Sequence, residues 1–266
     1  MELAQNQLSD PGMELHDLLS DESFRQRSGR KRDLEQPFGA LSRIARVFAE
    51  RPDDVLQELV EIAVTCCGAE SAGISLEEPD ETGKPTFRWV AISGTFAEYL
   101  GGRTPRFFSP CGTCLDSGRP QLYTVSQPYY DFLGVTAEPI TDGMLIPWET
   151  EGIRGTIWAV AHRSGEVFEL QDYRLLQSLA DFIAIIMRQR KSDALARAAA
   201  RAEASAERAH SMAHEINNPL QKLTNIIFLA HQGGANSGAY LDEAVFELAE
   251  LSERVKGLLA LKYSQD

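Results

Sequence analysis

The sequence predicts an α+β domain with an antiparallel sheet flanked by helices, joined by a long helix to an α-helical hairpin. Three observations predict this. Strand-like patterns recur between residues 71 and 162. Residues 189–210 are rich in Ala, Arg and Glu and contain neither Pro nor Gly, which favours an unbroken helix. Residues 206–263 show two helical repeats of apolar residues around a glycine-rich turn, which is typical of half of a dimeric four-helix bundle.

The amino-terminal segment 1–38 is polar and includes the basic run 25–32. This composition predicts a disordered or partly helical leader, in which the basic run is a solvated tail more often than a partner-binding site. Residues 53–64 then combine an amphipathic repeat with acidic residues at its start, and Gly68 suits the end of that helix. The first element of the folded domain is therefore expected after residue 38.

Four segments between this helix and residue 162 have the composition of strands. They are 71–77, 86–93, 143–148 and 154–162, and the last carries the strongest pattern. Several strands followed by long terminal helices indicate an α+β arrangement with an antiparallel sheet.

Two further segments identify the kind of domain. Gly155–Ala161 is followed by Phe168 and Asp172 and by the leucines of the next helix, and Ser109 with Pro110 suits the start of a short helix over 109–115. On these residues, 39–188 resembles a GAF sensory domain. The resemblance implies a pocket for a small, unknown ligand between the sheet and its crossing helices. Aromatic and histidine residues that either line this pocket or belong to the core are Tyr99, Phe107, Phe108, Tyr129, Tyr130, Trp158 and His162.

The four cysteines of this segment are candidate metal ligands or redox groups. Cys66, Cys67, Cys111 and Cys114 could form a four-thiolate metal site or a redox pair. Adjacent cysteines near a helix end do not easily chelate one ion, and reduced structural thiols are favoured in a cytosolic chain. No His follows Cys111 or Cys114, unlike the bilin-attaching cysteines of some GAF photoreceptors. No metal site is expected, and the redox role of the four thiols stays open.

His214 is the residue of the second half that can carry chemistry. At about 100° per residue it lies with Asn218 on the polar side of an amphipathic helix, away from its apolar stripe. A neutral imidazole is a good nucleophile near pH 7, and the adjacent Glu215 is a candidate general base. Asn218, one turn on, could position a water or a phosphoryl group. His210 lies one turn before His214, so the two could instead share a metal ion, although no third ligand follows at motif spacing.

The run His-Glu-x-x-Asn-Pro-Leu from His214 to Leu220 resembles the H-box of sensor histidine kinases. Apolar residues at helical spacing after the turn look like the second helix of that family's dimerisation and phosphoacceptor hairpin. The resemblance implies a homodimer in which His214 accepts a phosphoryl group and passes it to the aspartate of a response-regulator receiver domain. Residues 206–263 are accordingly expected to form the hairpin, with 189–205 as a helical linker.

The resemblance also implies a domain that this sequence does not contain. Histidine kinases carry an ATP-binding domain after the hairpin, whereas no glycine-rich phosphate-binding motif occurs in these 266 residues. ATP is therefore expected to act only through a separate kinase domain, and autonomous kinase activity is not expected. The alternative function is a non-enzymatic GAF sensor or scaffold that dimerises and binds a regulator or kinase.

Composition and charge argue against several classes of binding partner. The formal net charge of −13 argues against binding to nucleic acid or to an anionic membrane surface. The apolar stretch 182–187 is far shorter than the ~20 residues that span a bilayer, and no signal peptide is evident. The sequence thus predicts a cytoplasmic signalling protein.

Overall fold

The computed structural model describes residues 12–28, 36–232, 238–239, 242–251 and 253. The chain divides into two units, Met1–Arg190 (unit 1) and Lys191–Asp266 (unit 2). Among the described residues, no helix combines the length and the apolar character that crossing a membrane requires.

Unit 1 contains a seven-stranded sheet in which all neighbouring strands are antiparallel. The strand order is β1-β5-β6-β7-β2-β3-β4. The four predicted strands coincide with β2, β3, β6 and β7, whereas the short strands β1, β4 and β5 were not expected. The strands are β1 (Met13–Asp17), β2 (Ser71–Pro79), β3 (Pro85–Gly94), β4 (Arg103–Pro105), β5 (Gln121–Val125), β6 (Ile140–Thr150) and β7 (Ile153–Ala161).

Helices cover the sheet and continue the chain beyond it. The predicted amphipathic helix is α3, and Gly68 ends it with φ 62°, a left-handed conformation that glycine adopts without strain. A 3₁₀ helix over Thr95–Tyr99 follows β3. The α-helices are α1 (Glu22–Gln26), α2 (Gln36–Glu50), α3 (Val55–Cys67), α4 (Pro110–Ser117), α5 (Gln127–Leu133) and α6 (Leu170–His231).

Side chains from the two faces of the sheet form two separate clusters. Along β7, Ile157 and Ala159 belong to one cluster, while Trp158 and Val160 belong to the other, as the alternation of a strand requires. The first cluster packs against α2, α3 and the beginning of α6. The second packs against α4, α5 and the 3₁₀ helix. Both faces of the sheet are therefore buried.

The expectation of a disordered leader over 1–38 is wrong for residues 12–28. Strand β1 pairs with β5 along its whole length, and Leu18 and Phe24 are fully buried. Arg27, part of the predicted solvated basic run, donates to both carboxylate oxygens of Asp142 at 3.0 and 3.1 Å. The sequence analysis missed these residues because the segment is polar on average. An edge strand such as β1 is held by main-chain hydrogen bonds, which leave little pattern in the side chains. Residues 29–32 of the basic run lie outside the described residues.

Unit 2 comprises the second part of α6 and a further helix, α7 (residues 242–251). The predicted linker 189–205 lies within α6, which also includes Pro219. Leu223 and Ile226 of α6 form a small apolar cluster with Ala244 and Leu251 of α7. Most of the predicted turn, and the chain after residue 253, lie outside the described residues.

Candidate functional site

Two glycines allow large rings to lie flat on the face of the sheet that α4 and α5 cover. Gly73 of β2 is the register partner of Trp158 on β7, and Gly143 of β6 is the partner of Tyr123 on β5. A methyl group at Gly73 would overlap the indole of Trp158, and one at Gly143 would overlap the phenol ring of Tyr123. The missing side chains thus make room for two aromatic walls.

A cavity of about 350 Å³ lies against these rings. Residues of α4, α5, the 3₁₀ helix and the loop before β6 line its other sides, and the cavity is partly open to solvent. Its lining is mostly aromatic and aliphatic, which is typical of pockets for small organic molecules. The aromatic lining residues are Trp89, Phe96, Tyr99, Tyr123, Tyr129, Tyr130 and Trp158, and the aliphatic ones include Val125, Leu133, Val135, Ala137 and Ile140.

Four of the seven predicted candidates line this cavity, namely Tyr99, Tyr129, Tyr130 and Trp158. The prediction is wrong for the other three. Phe107 and Phe108 precede the N-cap of α4 and are 67% and 53% exposed. His162 follows β7, where its Nδ1 lies 3.0 Å from the carbonyl oxygen of Pro139 and its ring contacts Phe96.

Sequence reasoning missed Trp89, Phe96 and Tyr123, which also line the cavity. Tyr123 belongs to β5, a short strand whose pattern was too brief to detect. Trp89 lay in a predicted strand, but alternation alone does not say which face of a sheet holds a ligand. The glycines at 73 and 143 were the available signal, because glycine within a strand indicates a close approach.

A small polar network lies behind the cavity wall, where it contacts the lining residues Cys111 and Trp158. The indole Nε1 of Trp158 donates to Ser75 Oγ at 3.1 Å, and the Thr156 hydroxyl donates to Cys111 Sγ at the same distance. Burial raises the pKa of the Cys111 thiol, so the sulfur is uncharged at neutral pH. As predicted, Ser109 caps α4, accepting the Gly112 N–H at 3.0 Å, and thereby fixes Cys111 against the sheet.

Two phenol groups of the wall have no hydrogen-bond partner among the described residues. The hydroxyl of Tyr130 is buried and unpaired, and Tyr123 makes no hydrogen bond although it is only 6% exposed. Burial raises the pKa of both groups above the usual value, so both remain protonated donors. Leaving a buried hydroxyl unpaired costs about 1–3 kcal/mol, and such groups point to a function. By contrast, the Tyr129 hydroxyl donates to the carbonyl of Phe108 at 2.8 Å.

Charge is nearly absent from the cavity wall. Arg103 is the one charged residue among its described lining residues. Its Nη2 lies 2.6 Å from Glu78 Oε1, and its Nη1 donates to Thr86 Oγ1 at 3.0 Å, so both ends of the guanidinium are already engaged. The wall therefore offers neutral donors and ring faces, and no unpaired cation.

The four cysteines are not brought together. Cys66 and Cys67 belong to the cluster on the α3 side of the sheet, whereas Cys111 and Cys114 belong to the opposite cluster. All four are buried, and burial raises the pKa of the Cys114 thiol. Within the part of the chain that the structure describes, no group of three or more potential metal ligands occurs. The arrangement fits structural thiols.

The predicted phosphoacceptor lies on α6 in unit 2. His214 is exposed, and its Nε2 lies 3.1 Å from Nε2 of His210, one turn earlier. The two rings pack edge to face with centroids 4.5 Å apart. Glu215 is also exposed, but the described residues include no hydrogen bond between it and His214. The nearest partner of the imidazole is therefore a second imidazole, which the sequence analysis considered only as a metal ligand.

Asn218 lines a different surface, a depression between α6 and α7. Its neighbours there are Pro219, Lys222 and three residues of α7. Lys222 forms an ion pair with Glu247, and the hydrogen bond that Lys222 donates to this carboxylate raises the pKa of the lysine. Asn218 thus lies near the contact between the two helices, and the described residues include no hydrogen bond between it and His214. The α7 residues are Glu247, Glu250 and Leu251.

Comparisons with solved structures found several GAF domains. That of a phosphoenolpyruvate-protein phosphotransferase from Coxiella burnetii is 14% identical, with a TM-score of 0.48, over 59% of this chain and 96% of that one. The GAF-B domain of DevS from Mycobacterium smegmatis is 18% identical, with a TM-score of 0.41, over 53% and 96%. The phycoerythrobilin-bound GAF domain of a cyanobacterial phytochrome is 12% identical, with a TM-score of 0.44, over 59% and 97%.

A search of curated proteins gave no match. The family model described as GAF domain matches residues 49–188, which lie within the segment that the sequence analysis assigned to this fold. The match covers the strands β2 to β7, the helices α3 to α5 and the first part of α6. The chain therefore belongs to the GAF domain family.

Proposed function

We propose that this protein is a two-component signalling protein in which the GAF domain is the input and His214 accepts a phosphoryl group. A small molecule in the cavity of unit 1 would change the state of unit 2, and the phosphoryl group would pass from His214 to the aspartate of a response regulator. The observation that carries the proposal is the exposed imidazole of His214 within His-Glu-x-x-Asn-Pro-Leu, on a helix packed against a second helix.

The chemistry proposed for His214 needs an accessible nitrogen lone pair. Attack on the terminal phosphorus atom of ATP forms a nitrogen–phosphorus bond, and the bond from phosphorus to the leaving nucleoside diphosphate breaks. The ring proton passes to a base. Glu215 is the proposed base, since it adjoins His214 and is free to turn towards the ring. The nitrogen that faces His210 is free to attack only when the 3.1 Å contact between the two imidazoles opens. We therefore expect His210 to influence the rate, without itself accepting the phosphoryl group.

A homodimer through unit 2 is the proposed framework for this reaction. On α6, Leu220 and Ile227 are 43% and 53% exposed and lie beside the stripe that contacts α7. On α7, Val245 and Leu248 are 69% and 58% exposed and likewise lie beside that contact. Each helix thus presents a second apolar stripe next to its internal one, which is what a helix in a four-helix bundle requires. A second copy of this chain is the proposed occupant.

The experiment supplies the ATP-binding domain of a histidine kinase in trans with labelled ATP. We expect acid-labile, alkali-stable label on the wild type and none on His214→Ala. His231→Ala is the matched control, because His231 is another exposed histidine on α6 and should keep its label. His210→Ala should retain the label at a changed rate.

Two results would contradict the proposal. Label that persists in His214→Ala, or that disappears only in His210→Ala, would place the acceptor elsewhere. A wild-type chain that takes no label with several such domains, yet binds a response regulator, would favour the alternative function as a non-enzymatic scaffold.

A further inference from the structure

The cavity of unit 1 carries information about the chemical class of its ligand. The inference rests on the sensory part of the proposed function and does not depend on phosphoryl transfer. Three properties of the wall are used: its volume, its lack of available charge and its two unpaired phenol hydroxyls.

Volume indicates the size of the part of a ligand that the cavity holds. An engineered apolar cavity of about 150 Å³ holds benzene, which has six carbon atoms. In the same proportion, the cavity of about 350 Å³ accommodates about 14 non-hydrogen atoms. That is the size of two fused rings with small substituents. A linear tetrapyrrole, with four rings and charged propionates, is much larger than this.

The cavity wall has no available charged group, which disfavours an ionised ligand. Both Nη atoms of Arg103, the one charged group among the described lining residues, already contact Glu78 and Thr86. An ionised ligand would lose its hydration without gaining an ionic partner, which is strongly unfavourable. The faces of Trp89 and Trp158 instead offer stacking or edge-to-face contact to a neutral aromatic ring.

The phenol groups indicate where the ligand is polar. Tyr123 and Tyr130 are 6% and 7% exposed, line the cavity and have no hydrogen-bond partner among the described residues. Both remain protonated, because burial raises the pKa of each. A ligand with one or two acceptor atoms would satisfy these donors, whereas a hydrocarbon would leave them unpaired.

We propose that this cavity binds an uncharged aromatic molecule of about two fused rings, whose acceptor atoms receive hydrogen bonds from Tyr123 and Tyr130. The aromatic walls supply most of the affinity, and the two hydroxyls supply orientation and selectivity.

Coumarin is a suitable probe, because it has two fused rings, no charge and two lactone oxygens as acceptors. Naphthalene has the same size without acceptors, and coumarin-3-carboxylate adds an anion. Binding of each to the full chain is measured by equilibrium dialysis. We expect coumarin to bind one molecule per chain, and the carboxylate and naphthalene to bind at least about tenfold more weakly.

Variants separate the contributions of the wall. Tyr123→Phe and Tyr130→Phe each keep the ring, and each should weaken coumarin binding by about tenfold while leaving naphthalene binding unchanged. Tyr173→Phe is the matched control, since Tyr173 packs against the cluster on the other face of the sheet. Ala137→Phe, at the cavity rim, should block both probes. Circular dichroism and thermal unfolding establish that each variant is folded.

Three results would overturn the inference. They are equal affinity for coumarin and its carboxylate, unchanged coumarin affinity in both tyrosine variants, and no binding of either neutral probe. None of them bears on label at His214, which is measured without these probes, so failure here is distinct from failure of the phosphoacceptor assignment.

Discussion

Unit 1 and unit 2 differ in how they cover large apolar side chains. In unit 1, helices on both faces of the sheet bury both sets of alternating residues, such as Ile157 and Trp158. In unit 2, two helices contact each other along one stripe, and Phe228 and Phe246 remain 61% and 65% exposed. A pair of helices can bury only one side of each. Unit 1 therefore covers its apolar side chains with its own helices, whereas the described helices of unit 2 leave exposed the apolar stripes that we propose a second copy covers.

The largest expected effect tests the second half of this comparison. Ile227→Lys with Val245→Lys places charges in the exposed apolar stripes of α6 and α7, and should convert a dimer into a monomer at micromolar concentration. Sedimentation velocity measures the change, and circular dichroism reports whether the helices persist. Asn225→Lys adds a charge on the polar side of α6 and should remain dimeric. A wild-type monomer would refute the proposed bundle.

The next effect concerns how unit 1 holds its amino-terminal segment. The carboxylate of Asp142 accepts from Arg27 and from the backbone N–H groups of Val167 and Phe168, at 2.7 and 3.0 Å for the latter two. Asp142→Asn removes the buried charge partner of the guanidinium and leaves only the more exposed Glu166, 3.4 Å from its Nε, so it should lower the free energy of unfolding by about 3 kcal/mol. Urea denaturation measures this value.

A double-mutant cycle with Arg27→Met supplies the control for that prediction. If the ion pair carries the effect, the loss in the double variant should be smaller than the sum of the two single losses. Additive losses would instead show that Asp142 acts only through the backbone groups of the segment before α6.

A smaller effect is expected where the sheet meets the ring of Trp158. Gly73→Ala forces the indole or the strand to move, and should destabilise unit 1 by about 1–3 kcal/mol. Gly39→Ala is the matched control, because no atom of the described residues lies within 4 Å of its added methyl group and it occupies a helix. That variant should be neutral or stabilising by about 0.5–1 kcal/mol. Equal thermal stability of the two variants would contradict this reading of Gly73.

The smallest effect depends on pH. Hydrogen bonds from Arg88, together with Arg103, lower the pKa of Glu78 below its usual 4.5. A lowered folded-state pKa contributes stability that is present above the unfolded-state pKa and is lost as the pH falls through the folded-state value. Because both arginines are partly exposed, the contribution should stay below about 1 kcal/mol and weaken in salt.

The variant Glu78→Gln tests this pH dependence. It should be less stable than the wild type at pH 7, and the difference should disappear as the pH falls below about 4. Glu98→Gln, at an exposed carboxylate of the 3₁₀ helix, is the control and should show no such change. A stability difference between Glu78→Gln and the wild type that grows as the pH falls would contradict a lowered pKa of Glu78 in the folded state.

Local patterns predicted the regular elements well. The start of α4 followed from Ser109 and Pro110, the end of α3 followed from Gly68, and β7 followed from its β-branched and aromatic composition. These signals depend on residues within a few positions of one another. The sequence could not place β1 or Arg27, because their partners on β5 and at Asp142 lie about a hundred residues away.

The candidate sites likewise combine features that local sequence predicted with features that only the tertiary structure decided. Residue chemistry singled out His214, Glu215 and Asn218, and the amphipathic repeat predicted that they avoid the apolar stripe. The contact of His214 with His210 depended on side-chain rotamers that spacing does not specify. In the cavity, four aromatic residues were predicted correctly, but Trp89 and Tyr123 became part of it only through the register of neighbouring strands.

The sequence by itself predicted α3, α4, α6, four of the seven strands and the exposure of His214, because helix and strand periodicity and capping are encoded by near neighbours, and the family followed from its resemblance to GAF domains. Only the tertiary structure decided which face of the sheet encloses a cavity, which phenol hydroxyls lack partners and which cysteines stay apart. Those properties depend on strand order and register, and these bring together residues that no local pattern connects.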